Sequence, residues 1–312
     1  MNDLTSNVLK GNTRAIARMI TLIENNDSDA IDAMKEIHKK SGNAHVIGIT
    51  GVMGSGKSSL IFELAYQYRK QGKKVGIIAV DPTSPFSGGA ILGDRIRMME
   101  LATDDEVFIR SMGTHGMLGG LASSVFDVVE IFDAAGMDII LIETVGVGQA
   151  EVDIVKIADS TIVVLVPGLG DSIQTIKAGL MEIADIFVVN KADKAGVEQV
   201  VAEIESMLDI SLKSDRETPI VTTSTKKHQG ISELVNEISS HRNYLKKENR
   251  IEIKRRKRYE AELTEIIKMR LMNLIFDESK FTATIDKLID QISKKELDPY
   301  SAADEILGKI LK

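Results

Sequence analysis

The chain has 312 residues, 43% of them apolar, enough for one α/β domain with substantial additions, since single domains usually run roughly 100–200 residues. A formal net charge of -7 argues against a protein that coats nucleic acid or an anionic membrane. With no cysteine there is neither a disulfide framework nor a thiolate metal site, which fits a reducing cytoplasm.

The first residues lack the apolar core and small-residue cleavage site of a signal peptide, and no apolar run approaches the ~18 residues of a membrane span. A soluble cytoplasmic chain is the expectation. Residues 4–40 place Ile16, Met19, Ile20 and Ile23, then Ile31, Met34 and Ile37, at helical spacing around a polar NNDSD stretch. Two short helices are predicted there, as a helical extension over residues 1–43.

From residue 45 the pattern changes to brief apolar runs separated by helical stretches: HVIGIT, KVGIIAVD, EVFIR, MDIILIET, STIVVLVP, DIFVVN and TPIVTT. Buried strands alternating with helices predict a mostly parallel sheet flanked by helices, the α/β fold of a P-loop NTPase, over residues 44–240. After about residue 240 the strand signal ends. Tyr259, Leu263, Ile266, Ile267, Leu271, Leu274 and Ile275 recur at helical intervals, so residues 241–312 read as a helical arm. The basic run Lys254, Arg255, Arg256, Lys257 and Arg258 at its start is read as a solvated helix face.

Gly51 to Ser58 reads GVMGSGKS, a complete G-x-x-x-x-G-K-[ST] set between the strand HVIGIT and the helical SSLIFELAYQYRK. The glycines let the backbone wrap an anion, so successive N–H groups and a helix start meet phosphate oxygens. Gly51, Met53, Gly54, Ser55, Gly56, Lys57, Ser58 and Ser59 form the candidate phosphate site. Lys57 supplies a cation for the β- and γ-phosphates, and the Ser58 hydroxyl is a magnesium ligand. Further metal ligands are sought at the C-terminal strand ends, where ligands sit in an open parallel sheet. Asp81 ends KVGIIAV, and Glu143 ends MDIILI in the position of a Walker-B acid.

DIFVVN runs into Asn190, Lys191, Ala192 and Asp193, an N-K-x-D. One carboxylate can accept from both N1–H and the 2-amino group of guanine, whereas adenine presents an acceptor at N1 and leaves that carboxylate unpaired. Asp193 is therefore expected to select GTP and GDP, with Asn190 fixing the loop and the Lys191 stem lying along the purine. Ser224, Thr225 and Lys226, after TPIVTT, can offer backbone N–H groups to guanine O6.

These segments in this order resemble one family, the MeaB/ArgK group of methylmalonyl-CoA mutase-associated GTPases within the SIMIBI class. The resemblance is carried by GITGVMGSGKSS, VDPTSPFSGGAILGDRIRM, SMGTHGMLGGLA, IETVGVGQAEVD, PGLGDSIQTIKAGLMEIAD, NKAD and TSTKKHQGI. It implies a first switch over residues 82–97, with Asp94 near magnesium and Arg95 or Arg97 available to transition-state charge. It makes Glu143 to Gln149 a second switch and Gly168 to Lys177 a partner-sensitive loop. Gly146 would sense the γ-phosphate, Glu143 or Gln149 would place the attacking water, and Lys177 would meet the phosphate when a partner orders it. Met53 stands where a proline is frequent, and Ser224-Thr225-Lys226 replaces Ser-Ala-Leu. Family members look like homodimeric GTPase chaperones that load and protect an adenosylcobalamin-dependent acyl-CoA mutase. Two other readings are a kinase, disfavoured by NKAD, and a nickel metallochaperone, disfavoured by the scatter of His38, His45, His115, His228 and His241.

Overall fold

The computed structural model describes residues 2–25, 27–81, 101, 103–113, 124–144, 153–168, 181–210, 216–276 and 279–310. They fall into two compact units, Met1–Arg258 and Tyr259–Lys312. Among the described residues no helix is long and apolar enough to cross a membrane.

Each of the seven apolar runs forms a strand: β1 His45–Gly51, β2 Val75–Asp81, β3 Val107–Gly113, β4 Ile139–Thr144, β5 Ser160–Leu165, β6 Ile186–Val189 and β7 Ile220–Thr222. They make one sheet in the order β3-β2-β4-β1-β5-β6-β7, parallel throughout. Helices cover both faces, which is why β1, β4 and β5 are buried along their whole length and read as continuous apolar runs. On one face Ile47 and Ile49 meet Leu60, Ile61 and Leu64 of α4 (Lys57–Lys70) and Leu234 and Ile238 of α7 (Ile231–Lys246). On the opposite face Val163, Leu165, Phe187 and Val189 pack on Ile204 of α6 (Val197–Ile210). Each such side chain contributes roughly 1.5–3 kcal/mol of transfer free energy. Gly48 is required where β1 is crossed closely, since a Cβ there would lie 2.5 Å from Ile154.

The N-terminal extension holds three helices where two were expected: α1 Asn2–Leu9, α2 Thr13–Glu24 and α3 Ser28–His38. α1 carries too few apolar residues to show a periodic stripe, and Gly11, at φ +76°, separates it from α2. Asn12 and Asp27 cap α2 and α3 by accepting from Ala15 N at 3.0 Å and Ala30 N at 3.1 Å. α2 and α3 pack on α5 (Ser124–Ala134), whose buried Asp133 accepts the N–H groups of Gly42, Asn43 and Ala44 at 2.8, 2.9 and 3.0 Å. That carboxylate fixes the entry of the chain into β1.

The basic run does not behave as a wholly solvated face. It lies at the start of α8 (Arg250–Phe276), and only Arg256 and Lys257 are exposed. Lys254 Nζ donates to Asp185 at 2.9 Å, Arg255 Nη2 to Asp159 at 3.2 Å and Ala44 O at 2.9 Å, and Arg258 Nη1 to Ile157 O at 3.3 Å. Those acids and carbonyls lie at the N-terminal ends of β1, β5 and β6, opposite the edge where ligands bind. Spacing alone misleads here because Lys254, Arg255 and Arg258 share one side of the helix while the residues between them point away.

Behind that seam runs a buried polar chain. His45 Nε2 lies 2.8 Å from Ser160 Oγ, which lies 2.7 Å from His241 Nδ1, and His241 Nε2 lies 3.3 Å from Asp185. One proton assignment satisfies every member: His45 donates to Ser160, Ser160 to His241, and His241 to Asp185. Burial would raise the Asp185 carboxyl, but the His241 hydrogen bond and the Lys254 charge hold it below the usual carboxylate range. Burial pushes the His45 ring down to about 3, against the pull of Asp159.

In the second unit α9 (Ser279–Ser293) and α10 (Pro299–Ile310) pack together, burying Leu288 and Ala302. Leu263, Ile267 and Leu271 of α8 form an exposed stripe at i, i+4 and i+8.

The His45 shift has a definite sign. Between about pH 3 and pH 6.5 the unfolded chain binds a proton that the folded one refuses, so His45 lends stability that is lost as pH falls through that window. The slope from this one group is at most about 1.4 kcal/mol per pH unit. Chemical denaturation between roughly pH 5 and pH 6.5, above the carboxylate range, should show a shallower slope for His45→Gln than for the parent. Equal slopes would rule out a neutral buried ring.

Candidate nucleotide site

At the C-terminal edge, β1 turns sharply at Gly51, whose φ is +139° and whose missing Cβ would lie 2.2 Å from Val164 O. Gly54 at φ +75° and Gly56 at φ +89° continue the wrap, and a Cβ on Gly56 would strike Asn190 Nδ2 at 2.6 Å. No side chain caps the start of α4, so its first N–H groups face the loop's hollow. Lys57 is buried, with Nζ donating to Gly51 O at 2.7 Å and Val52 O at 3.1 Å, which folds the ammonium over the turn. Met53 is exposed at the turn's tip.

Glu143 stands in register with Ile49 on one side and Ala79 on the other, so β4 carries its carboxylate beside the loop. Ser58 Oγ donates to Glu143 Oε1 at 2.6 Å. The next residue, Thr144, donates its buried hydroxyl to Thr50 Oγ1 at 3.0 Å, joining the ends of β4 and β1. Asp81 ends β2 one position beyond Val80, which pairs with Thr144. The donors fit magnesium: a serine hydroxyl and a carboxylate are hard oxygen ligands. Among the described residues no group of three or more acidic or histidine side chains gathers as a metal cage.

The base-side loops join the same scaffold. Asn190 follows β6, is fully buried, and donates from Nδ2 to Ser55 O at 2.9 Å while its Oδ1 accepts from Thr223 Oγ1 at 3.2 Å. Lys191 adopts the left-handed conformation, φ +60°, and its Nζ reaches Gly54 O at 2.6 Å. Asp193 is exposed, and its Oδ1 accepts from Ser224 Oγ at 2.7 Å. That hydroxyl, then the residue's own amide, hold the Asp193 carboxyl below its ordinary range, so it stays an acceptor at neutral pH. Ser224 N donates to Gln229 O at 3.0 Å and Lys227 N to Ser224 O at 3.1 Å, which places Thr225 and Lys226 at the tip of a turn.

The fold thus gathers Gly51 to Ser59, Glu143, Asn190, Lys191, Asp193 and Ser224 to Lys226 along one edge. Asp94, Gly146, Gln149 and Lys177 lie outside the described residues, as do Arg95, Arg97, His115 and the side chain of Asp81. The sequence reading missed Thr50, Thr144 and Thr223. A threonine directly beside each motif at a strand end was the available signal, because a strand-end hydroxyl can close the gap to the neighbouring strand.

Comparison with known proteins gives the family. Residues 16–280 match the model of the methylmalonyl Co-A mutase-associated GTPase MeaB. A protein of Pyrococcus abyssi named as a GTPase is 49% identical over 315 residues, covering 100% of this chain and 97% of that one. The mitochondrial methylmalonic aciduria type A homolog of Caenorhabditis elegans is 31% identical, covering 98% of this chain and 82% of its own. The crystal structure of an LAO/AO transport system kinase shares the fold, with a TM-score of 0.73, 24% identity and coverage of 100% and 97%. A glycine turn braced by the asparagine of an N-K-x-D loop, on a parallel sheet of this order, is therefore the nucleotide edge of a GTPase, and the chain belongs to the MeaB family of methylmalonyl Co-A mutase-associated GTPases.

Proposed function

We propose that this GTPase is a switch that assists an adenosylcobalamin-dependent acyl-CoA mutase of the methylmalonyl-CoA type, in loading its cofactor and protecting it. The observation that carries the nucleotide half is the bond from Asn190 Nδ2 to Ser55 O. Through it, phosphate and base are read by one rigid body. Support for the mutase half comes from the family, whose description names that association.

In this reading the P-loop amides and Lys57 hold the phosphates, and Asp193 takes the two guanine donors while the Thr225 and Lys226 amides face O6. Ser58, Glu143, Asp81 and Asp94 would hold magnesium, which supplies neutralising charge to the β- and γ-phosphate oxygens. Water attacks the γ-phosphorus in line, bond formation to the incoming oxygen accompanying loss of the bridging oxygen to GDP. Glu143 or Gln149 orients that water, Gly146 N–H reports the γ-phosphate, and Lys177 adds positive charge once a partner orders it.

The protein acts as a homodimer through the helical arm. Leu263, Ile267 and Leu271 give α8 an apolar stripe of the kind a second helix covers. Light scattering on the full chain should find a dimer, and Leu263→Glu with Ile267→Glu should give a folded monomer. A dimer that survives both changes removes the arm from the interface.

The base assignment is tested by exchanging acceptor for donor. Asp193→Asn should lose guanine by at least about a hundredfold and gain xanthine nucleotides, whose 2-oxo group an amide can satisfy. Retained guanine preference, measured by calorimetry, would sink the pocket. For the partner, capture from lysate with a non-hydrolysable GTP analogue should recover a cobalamin-dependent mutase, and Lys57→Ala should recover none. Failure to bind a purified mutase of that type in any nucleotide state would defeat the proposal.

A further inference from the structure

In the loop Ser224–Gln229 the residues from Lys226 to Gln229 are exposed, yet both ends of the loop are fixed. Ser224 and Gln229 close it as an isolated antiparallel bridge, with Ser224 N to Gln229 O at 3.0 Å and Gln229 N to Ser224 O at 3.1 Å. On the base side Ser224 Oγ is fixed to Asp193. Beyond the loop, Gly230 at φ +74° lets the chain pass so close to β7 that a Cβ would lie 2.0 Å from Thr222 O.

One contact is not accounted for by closing the loop. His228 Nδ1 lies 2.9 Å from the Glu63 carboxylate. Glu63 belongs to α4, the helix that begins at Lys57 in the phosphate turn. Its side chain is only 6% exposed, whereas that of His228 is 72% exposed. Among the described residues His228 is the one hydrogen-bond partner of that buried carboxylate. A buried acid requires a donor, so α4 dictates where His228 must stand. His228 meets the demand at φ +53°, a left-handed conformation uncommon outside glycine but more accessible to histidine than to most residues.

We propose that Glu63 and His228 form a brace by which the phosphate-binding helix positions the O6-facing amides of Thr225 and Lys226, making His228 a positioning residue for base selection. The inference rests on the guanine reading of Asp193 and the 224–226 loop given above. Without the brace, the loop would keep its own closure, the Ser224–Gln229 bridge and the turn bond from Lys227 N to Ser224 O at 3.1 Å, but the turn carrying the tip amides would lose its anchor to the phosphate-binding helix and would have to be re-aimed by each incoming base. With it, the tip is ordered before the base arrives, and the ordering body is the same helix that holds the phosphates. Asn190 performs this coupling from the N-K-x-D side, and His228 performs it from the opposite loop.

The mechanism predicts a loss confined to the O6 contact. Calorimetry on the full chain would compare GDP with 6-thioguanosine diphosphate, which keeps both N1–H and the 2-amino group for Asp193 but replaces O6 with sulfur, a weak hydrogen-bond acceptor. His228→Ala should weaken GDP by about five- to tenfold and leave the 6-thio nucleotide within about twofold. His228→Gln, whose amide can still donate to Glu63, should restore most of the GDP affinity. Because His228→Ala leaves a buried acid unpaired, the double variant Glu63→Gln with His228→Ala separates stability from positioning: it should regain thermal stability yet keep the GDP defect. Unchanged GDP affinity in His228→Ala, or an equal loss of both nucleotides in the double variant, would overturn the brace. Asp193→Asn in the same assay reports on the pocket itself, so guanine preference surviving there condemns the pocket reading, while a normal switch to xanthine with a neutral His228→Ala condemns only the brace.

Discussion

The nucleotide edge depends on one buried amide. Asn190 has no solvent to satisfy it, so both ends of its side chain must find partners in the protein, and they find Ser55 O in the phosphate turn and Thr223 Oγ1 at the end of β7. That requirement draws together three loops from distant parts of the sequence. Gly56 must then be glycine twice over, for its left-handed φ and because any Cβ would displace the Asn190 amide. Lys191 adds a second tether by reaching Gly54 O. The phosphate turn and the N-K-x-D loop are consequently tied to each other by hydrogen bonds rather than held independently.

The opposite edge is sealed by a different economy. There the strand starts present acids and carbonyls, and the first turns of α8 answer them with Lys254, Arg255 and Arg258. Burial alone would raise the Asp159 carboxyl, but Arg255, Arg258 and the Val46 amide hold it below its usual range. Ion pairs this buried add little net stability, because desolvation cancels much of the attraction, yet removing one member is costly. Their effect is therefore to fix where α8 leaves the domain. The chain of His45, Ser160, His241 and Asp185 works in the same sense, since its hydrogen bonds tie α7 to the starts of β1, β5 and β6.

The sequence disclosed the sheet almost completely because parallel strands buried on both faces leave uninterrupted runs of valine and isoleucine, a signal needing no partner to be read. It disclosed the P-loop and N-K-x-D for a related reason: each is a contiguous motif whose chemistry is local. What it hid was long-range and polar. Nothing near Asp185 announces His241 or Lys254, and nothing near Glu63 announces His228. A basic run reads as solvated until the acids it faces are known, and those acids sit 69 and 96 residues away in sequence. The α1 helix escaped notice because eight residues contribute too little apolar surface to declare a face.

The division between rigid and unassigned groups bears on rate as well as affinity. The contacts fixed among the described residues are those proposed above to hold guanine and the phosphates, with Ser58 and Glu143 of the proposed magnesium ligands, and in that reading they stand in place before the γ-phosphate begins to leave. Interactions equal in the ground and transition states tighten binding without speeding chemistry. A site preorganised for binding in this way keeps its nucleotide long and turns it over slowly unless further charge is brought to the phosphoryl group. Long occupancy with conditional turnover is the property that separates a switch from a metabolic hydrolase, and the anchoring of Asn190, Lys57 and Glu143 is the feature on which the proposed switch rests.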